Sequence, residues 1–378
     1  MEGILTIGVV LDEWLENTSI REKFNELIKN PIIREVSIFC GEKKAINLTE
    51  VKQFSDEIRG LRTDIDIAVD QEGGLVQRLR GDGFTQLPQP DDLRRLYKED
   101  RQGERDVARA CGIVTAYELR HAGINILYGP VLDTYNPNSA AIGKRCRSYG
   151  NPPDSTDLLE HYLKGINGCL YTVVKHFPDH GQVVNDTHAK IATDERSVKE
   201  IDTQSLPPYK SLTYDALMIP HVIYSSVDEL PATLSKKTID FFIDKIKKNP
   251  LPLFSDALEM DALKAIEPTI NKRVYRCLNS GCDAILYCGG GGNPERDYLT
   301  KLNELLEFIA EKKQTEPAFL CRYREAEDKI KSLSARELNS PLSLEEYNVA
   351  KRVIDRKLAL EPEPTVESEQ QCYQRCVP

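Results

Sequence analysis

The sequence has little positive charge for its length and no long apolar run. Its 50 Lys and Arg stand against 60 Asp and Glu, which gives a formal net charge of −10. Nucleic-acid-binding proteins usually present a basic stripe, so no nucleic-acid partner is expected. No stretch of 18 apolar residues occurs, so no membrane span is predicted. The first residues lack a basic start with a small-residue cleavage site, and we therefore expect a cytoplasmic protein.

Low-complexity tracts, a collagen-like period and paired CxxC motifs are also missing. With 40% hydrophobic and 29% charged residues, the composition is typical of a globular protein with a large core. The ten cysteines are scattered, which favours free thiols over disulfides or a zinc site. Cys372 and Cys376 lie in a polar tail, where the sequence does not define their role. No metal and no cofactor are expected.

Short apolar, β-rich runs recur along the chain, with amphipathic helical segments between them. Strands that are apolar on both faces and alternate with helices predict a parallel sheet. A chain of 378 residues allows two average domains or one large barrel, and the count of eight runs favours an α/β fold of the (β/α)8, TIM-barrel type. The predicted strands are 5–10, 35–39, 65–69, 125–131, 172–177, 216–224, 250–255 and 283–289.

Two domain-level regions are predicted. The barrel spans 1–330, and 331–378 form a C-terminal helical extension that ends in a flexible tail. Residues 178–212 are expected to form a long polar loop after the fifth strand.

Charged and imidazole side chains follow several of the predicted strands, where the active sites of such barrels lie. Four of the six histidines fall in these segments. One alternative is a zinc site built from loop histidines with Asp179 or Asp186, although the spacing matches no standard zinc motif. Another is a surface loop with exposed histidines. The residues concerned are Asp70, Glu72, Asp133, Lys175, His176, His180, His188, His221 and Asp256.

Eight ordered motifs resemble those of glycoside hydrolase family 3, and most closely its single-domain bacterial β-N-acetylglucosaminidases of cell-wall recycling. They are IAVDQEGGLVQRLR, GPVLD, RSYG, KHFPDHGQVVNDTH, LPPYK, MIPHVIY, LPATLS and FSDALEM. The resemblance runs from about residue 5 to residue 330.

The resemblance implies a retaining double displacement. Asp256 would be the nucleophile that forms a covalent glycosyl-enzyme ester, and His188, oriented by Asp186, would be the acid/base. The alternative for Asp256 is a helix N-cap.

The same resemblance implies five sugar-binding residues, namely Asp70, Arg78, Arg147, Lys175 and His176. Charge-assisted hydrogen bonds suit a polyhydroxyl ligand. Structural ion pairs remain the alternative for the two arginines, and a packed rim position for the histidine.

Two departures from the family pattern stand out. Arg145 is a rival for the role of Arg147, because the spacing before RSYG is longer than usual. Asp179 stands where the motif usually has Gly, and a carboxylate there could stiffen the loop or change its charge.

The resemblance predicts a monomeric hydrolase that removes terminal β-linked N-acetylglucosamine from small saccharides or muropeptides. Two alternatives remain. One is an N-acetylglucosaminide phosphorylase, and the other is a catalytically impaired sugar-binding homologue.

Overall fold

The computed structural model describes residues 3–41, 45–184, 191–248, 251–289 and 298–360. Eight parallel strands form one sheet, and each coincides with one of the predicted apolar runs. The strands are β1 (Leu5–Val10), β2 (Ile33–Phe39), β3 (Asp66–Val69), β4 (Ile126–Val131), β5 (Tyr171–Lys175), β6 (Ala216–Ile219), β7 (Leu253–Ser255) and β8 (Ile285–Tyr287).

The sheet closes on itself as a barrel. Strands β1 to β7 are hydrogen-bonded in chain order, and β8 lies beside β1. A parallel bridge between Phe254 and Ala284 joins β7 to β8, and the Ser255 amide donates to the Ala284 carbonyl at 2.9 Å. The predicted α/β barrel class is therefore confirmed.

Helices surround this barrel and continue beyond it. The ninth helix begins at an N-cap, since the Ser235 side chain accepts from the Thr238 amide there. The helices are α1 (Leu11–Glu16), α2 (Thr18–Ile28), α3 (Leu48–Leu61), α4 (Pro90–Leu96), α5 (Arg101–His121), α6 (Asp154–Ile166), α7 (Val198–Gln204), α8 (Pro207–Ser211), α9 (Lys236–Ile246), α10 (Asp261–Lys264), α11 (Ile270–Ser280), α12 (Tyr298–Thr315), α13 (Pro317–Ala335) and α14 (Leu344–Leu360).

Alternate residues of the strands fill the barrel interior, as a period of two requires. Ile330 and Leu333 of α13 join this interior cluster at the end where the strands begin. The helix thereby closes that end, and the ends of the strands remain for the functional site. Ala284, directly before β8, also belongs to the cluster, and its strand residues are Phe39, Ala68, Ile126, Tyr128, Tyr171, Val173, Ala216, Met218, Phe254 and Leu286.

The predicted strand 216–224 was wrong in its second half. Strand β6 ends at Ile219, and Val222–Tyr224 pairs instead with Ala192–Asp194 in a separate two-stranded sheet. Both halves are apolar, and an apolar pattern carries no information about which strand will be the partner. The predicted polar loop 178–212 likewise contains α7, α8 and the strand at 192–194.

The C-terminal helical extension consists of the end of α13 and the whole of α14, so the predicted boundary at residue 330 falls inside a helix. Helix α14 packs on α5, where Tyr347 donates to Glu118 at 2.9 Å and Lys357 pairs with Glu104 at 2.5 Å. The predicted tail, with both of its cysteines, lies outside the described residues. Over the ranges given above, no helix has the length and apolar character needed to cross a membrane.

Candidate active site

The barrel brings three of the predicted site residues to one end. Asp70 follows β3, Lys175 ends β5 and Asp256 follows β7. Each stands two residues beyond a side chain of the barrel interior, namely Ala68, Val173 and Phe254. Because side chains alternate along a strand, all three project toward the barrel axis at its open end.

A buried network of two carboxylates and two cations lies at this end. Lys175, only 2% exposed, places its Nζ 2.5 Å from Asp70 Oδ1 and 2.6 Å from Glu72 Oε1. The Arg147 guanidinium donates to both carboxylate oxygens of Glu72, at 2.8 and 2.9 Å, and makes a third hydrogen bond to the Ala141 carbonyl. Arg147 therefore forms a buried ion pair with Glu72, and its predicted role in sugar binding stays a prediction.

The network holds its members in their charged forms. Burial alone would raise the pKa of Glu72, but the cations of Arg147 and Lys175 outweigh burial and lower it to about 2. Burial would also raise the pKa of Asp70, but the cations of Lys175 and Arg78 outweigh burial and lower it. Burial alone would lower the pKa of Lys175, but the carboxylates of Asp70 and Glu72 outweigh burial and raise it. Asp70 is thus a carboxylate that can only accept hydrogen bonds.

Arg78 lies at the edge of this network. Its Nη2 is 3.5 Å from Asp70 Oδ2, and its guanidinium stands 5.3 Å from the centre of the Phe39 ring. The rival Arg145 is half-buried.

Two histidines meet over the carboxylate that follows β4. Asp133 Oδ2 lies 2.6 Å from His176 Nδ1, and Oδ1 accepts from the His180 amide at 2.7 Å. The two rings stand 5.5 Å apart. Burial and the neighbouring His176 lower the pKa of His180 to about 4, although Asp133 and Asp256 oppose this. His180 is therefore neutral near pH 7.

Asp256 is fixed by the backbone around it. Its amide donates to the Ile219 carbonyl at 2.9 Å, and its Oδ1 accepts from the Ala257 amide at 2.8 Å. His221 supports the same turn, with Nε2 2.8 Å from the Ala257 carbonyl. Helix α10 has Met260 at its N-cap, so the N-cap alternative for Asp256 is wrong.

Asp186 and His188 lie outside the described residues, and their predicted roles stay predictions. Sequence reasoning missed the anchoring role of Glu72, because its partner Arg147 is 75 residues away. The only signal was its place directly after β3. Within the described ranges, no three His, Cys, Asp or Glu side chains cluster as metal ligands.

Three comparisons with known proteins identify the family of this chain. Residues 6–319 match the model of the glycosyl hydrolase family 3 N-terminal domain. A β-hexosaminidase of Nitrosospira multiformis is 34% identical over 297 residues, covering 76% of this chain and 81% of that protein.

Solved structures of NagZ from Neisseria gonorrhoeae have the same fold. One, in complex with zinc ion, has a TM-score of 0.71 at 25% identity and covers 93% of this chain and 97% of that one. Another, in complex with N-trifluoroacetyl-D-glucosamine, has a TM-score of 0.67 at 27% identity, with 87% and 98% covered. This chain belongs to glycosyl hydrolase family 3 and is a glycosidase of the β-hexosaminidase type.

Proposed function

We propose that the protein hydrolyses terminal β-linked N-acetylglucosamine with retention of configuration, through a covalent ester on Asp256. The observation that carries the proposal is the place of this carboxylate. It follows β7 at the open end of the barrel, and its Oδ1 accepts a hydrogen bond from the Ala257 amide. A carboxylate held at a fixed position at the open end of the barrel is what a nucleophile requires.

The proposed reaction consists of two displacements at the anomeric carbon. An Asp256 oxygen forms a bond to this carbon while the glycosidic bond breaks, and an acid gives a proton to the departing oxygen. Water then attacks the same carbon, loses a proton to the same residue in its basic form and releases the carboxylate. We assign the acid/base to His188 with Asp186, because an imidazole titrates near neutral pH.

The sugar is oriented by the buried network. We assign Asp70 to accept hydrogen bonds from hydroxyls of the terminal sugar, since Lys175 keeps it ionised. The Asp133 carboxylate accepts from His176 Nδ1 and so holds the ring, whose Nε2 can then form a hydrogen bond with another sugar hydroxyl. The complex of a relative with an N-acylated glucosamine analogue supports an amino sugar as the ligand class.

The test uses nitrophenyl N-acetyl-β-glucosaminide. Wild type releases nitrophenol, and Asp256→Asn loses nearly all of this activity while still binding N-acetylglucosamine. The matched control is Asp261→Asn, which changes an exposed aspartate five residues along the chain. Binding without turnover by wild type would contradict the proposal and favour a sugar-binding homologue. Formation of sugar 1-phosphate when phosphate is added would favour a phosphorylase.

The natural substrate, location and assembly belong to the same proposal. From the resemblance we assign muropeptides as substrates, the cytoplasm as the compartment and a monomer as the active form. Release of N-acetylglucosamine from purified muropeptides tests the first, and cell fractionation tests the second. Light scattering at the eluting peak tests the third, against a monomer mass of 42.8 kDa.

A further inference from the structure

Asp179 is a buried carboxylate at a position where the resembled motif has glycine. It is 1% exposed and accepts five hydrogen bonds. Oδ1 accepts from the amides of Thr134 and Gly181, at 3.0 and 2.9 Å. Oδ2 accepts from the hydroxyls of Thr134 and Ser205, both at 2.6 Å, and from Arg196 at 2.7 Å. Because donors surround both of its oxygens, the Asp179 carboxylate is an integral part of this structure and not a substitution that the fold merely tolerates.

The bonds of Asp179 run opposite to those of Asp133. Asp133, after β4, reaches toward the segment after β5 and holds the amide of His180 and the ring of His176. Asp179, in the segment after β5, reaches back to the backbone and side chain of Thr134. Asp133 and Asp179 therefore tie the segment after β4 to the segment after β5 from both sides, and we call this pair of carboxylates the brace. The segment after β5 carries the imidazoles of His176 and His180.

Arg196 fixes the other side of Asp179. Its guanidinium bonds to Asp179 and to Asp194, at 2.7 and 2.6 Å, and to the Ser205 hydroxyl at 3.0 Å. Gly181 adds a close backbone contact, since a Cβ there would lie 1.8 Å from the Thr134 carbonyl oxygen. A small shift of Asp179 thus cannot be absorbed locally and must move its neighbours in the segment.

We propose that Asp179, held by Arg196, is a positioning residue that sets the place of the His176 and His180 side chains for the reaction. Its effect on turnover rests on the proposed function, whereas its effect on the imidazoles does not. The rival explanation is a purely structural role, in which Asp179 stabilises the fold and leaves the imidazoles of the folded protein where they are.

The kinetic test compares Asp179→Asn, Arg196→Met and the double variant with wild type, at a temperature where all are folded. An asparagine amide would face the donors of Arg196, so the brace breaks in each variant. We expect kcat/KM to fall about 10- to 100-fold, because a displacement of about 1 Å costs that much. The double variant should be no worse than the worse single one, since both remove one link.

The control is Asp202→Asn, which breaks the exposed Asp202–Lys210 ion pair on α7 and α8 and leaves the brace intact. It should keep the kcat/KM of wild type. If Asp179→Asn does not fold, Arg196→Met alone carries the test, because it leaves the Asp179 carboxylate and four of its five hydrogen bonds in place.

The second readout is the ring N–H of His176, followed by NMR in protein labelled with 15N-histidine. In wild type the bond to Asp133 should give a strongly downfield Nδ1 proton, which Asp179→Asn and Arg196→Met should shift or lose. Unchanged His176 signals together with wild-type kcat/KM would overturn the proposal, even if thermal stability falls. If wild type shows no hydrolysis, the proposed function fails, and the His176 signal and the Kd for N-acetylglucosamine still test the brace.

Discussion

Glu35 lies inside the barrel, and we expect Glu35→Gln to stabilise the protein at pH 8 but not at pH 5. This carboxyl on β2 is 2% exposed and accepts hydrogen bonds from the hydroxyls of Thr6 and Tyr128. Burial raises its pKa from 4.5 to about 8, against the Tyr128 bond. Asp66 raises the pKa further, whereas Thr6 and Arg34 lower it. The folded protein therefore keeps this proton through neutral pH.

The direction of the pH dependence follows from the difference between the pKa of Glu35 in the folded protein and in the unfolded protein. An unfolded Glu35 loses its proton near pH 4.5, whereas the folded one holds it up to about pH 8. The stability contribution of this group is therefore complete below pH 4.5 and is lost as pH rises. The loss is about 1.4 kcal/mol per pH unit, or about 5 kcal/mol in all. Glutamine is neutral throughout and its oxygen can accept the same two bonds, so the variant escapes this loss.

The assay is urea unfolding of wild type and Glu35→Gln at pH 5, 6, 7 and 8. The free energy of unfolding of the variant, relative to wild type, should rise by about 3 to 4 kcal/mol over this range. Glu22→Gln, at an exposed position of α2, is the matched control and should show no such trend. A free-energy difference between Glu35→Gln and wild type that stays constant from pH 5 to 8 would contradict a raised pKa of Glu35 in the folded protein.

Three further predictions concern other contacts. Leu333→Ala, at the closed end of the barrel, should lower the free energy of unfolding in urea by about 2 to 4 kcal/mol; a cost below 1 kcal/mol would show that α13 does not seal the barrel. Arg147→Met leaves Glu72 with one cation fewer and should cost about 3 kcal/mol in the same assay; unchanged stability with weaker N-acetylglucosamine binding would instead make Arg147 a sugar ligand. Lys357→Met leaves the buried Glu104 without its cation, which weakens the packing of α14 on α5 and should speed proteolysis within α14; a wild-type cleavage rate would show that this ion pair does not hold α14 in place.

Much of the barrel follows from the sequence because its signals are local. Each of the eight strands is a short apolar run, and packing does not explain the charged residues that end β5 or follow β3 and β7. Asp70, Lys175 and Asp256 could therefore be expected at one end of the barrel. The alternation of side chains along each strand then places them toward the axis, as the structure shows.

The remaining features depend on partners that are far apart in the sequence. Glu72 acts through Arg147, 75 residues later, and Asp179 through Arg196, 17 residues later. Glu35 lies in an apolar run, where nothing local shows that its carboxyl would face the barrel interior. Such pairs follow from the closed geometry of the barrel, which a pattern of single residues does not contain.

The proposed mechanism requires Asp256 to form a covalent bond to the sugar during turnover. The most direct measurement is mass spectrometry of protein incubated with 5-fluoro-N-acetylglucosaminyl fluoride, whose ring fluorine slows breakdown of a glycosyl-enzyme ester. We expect one fluorinated N-acetylglucosaminyl group per chain, on the peptide that contains FSDALEM and attached to Asp256. Attachment to any other residue, or turnover of the reagent with no labelled enzyme and inverted product, would contradict it.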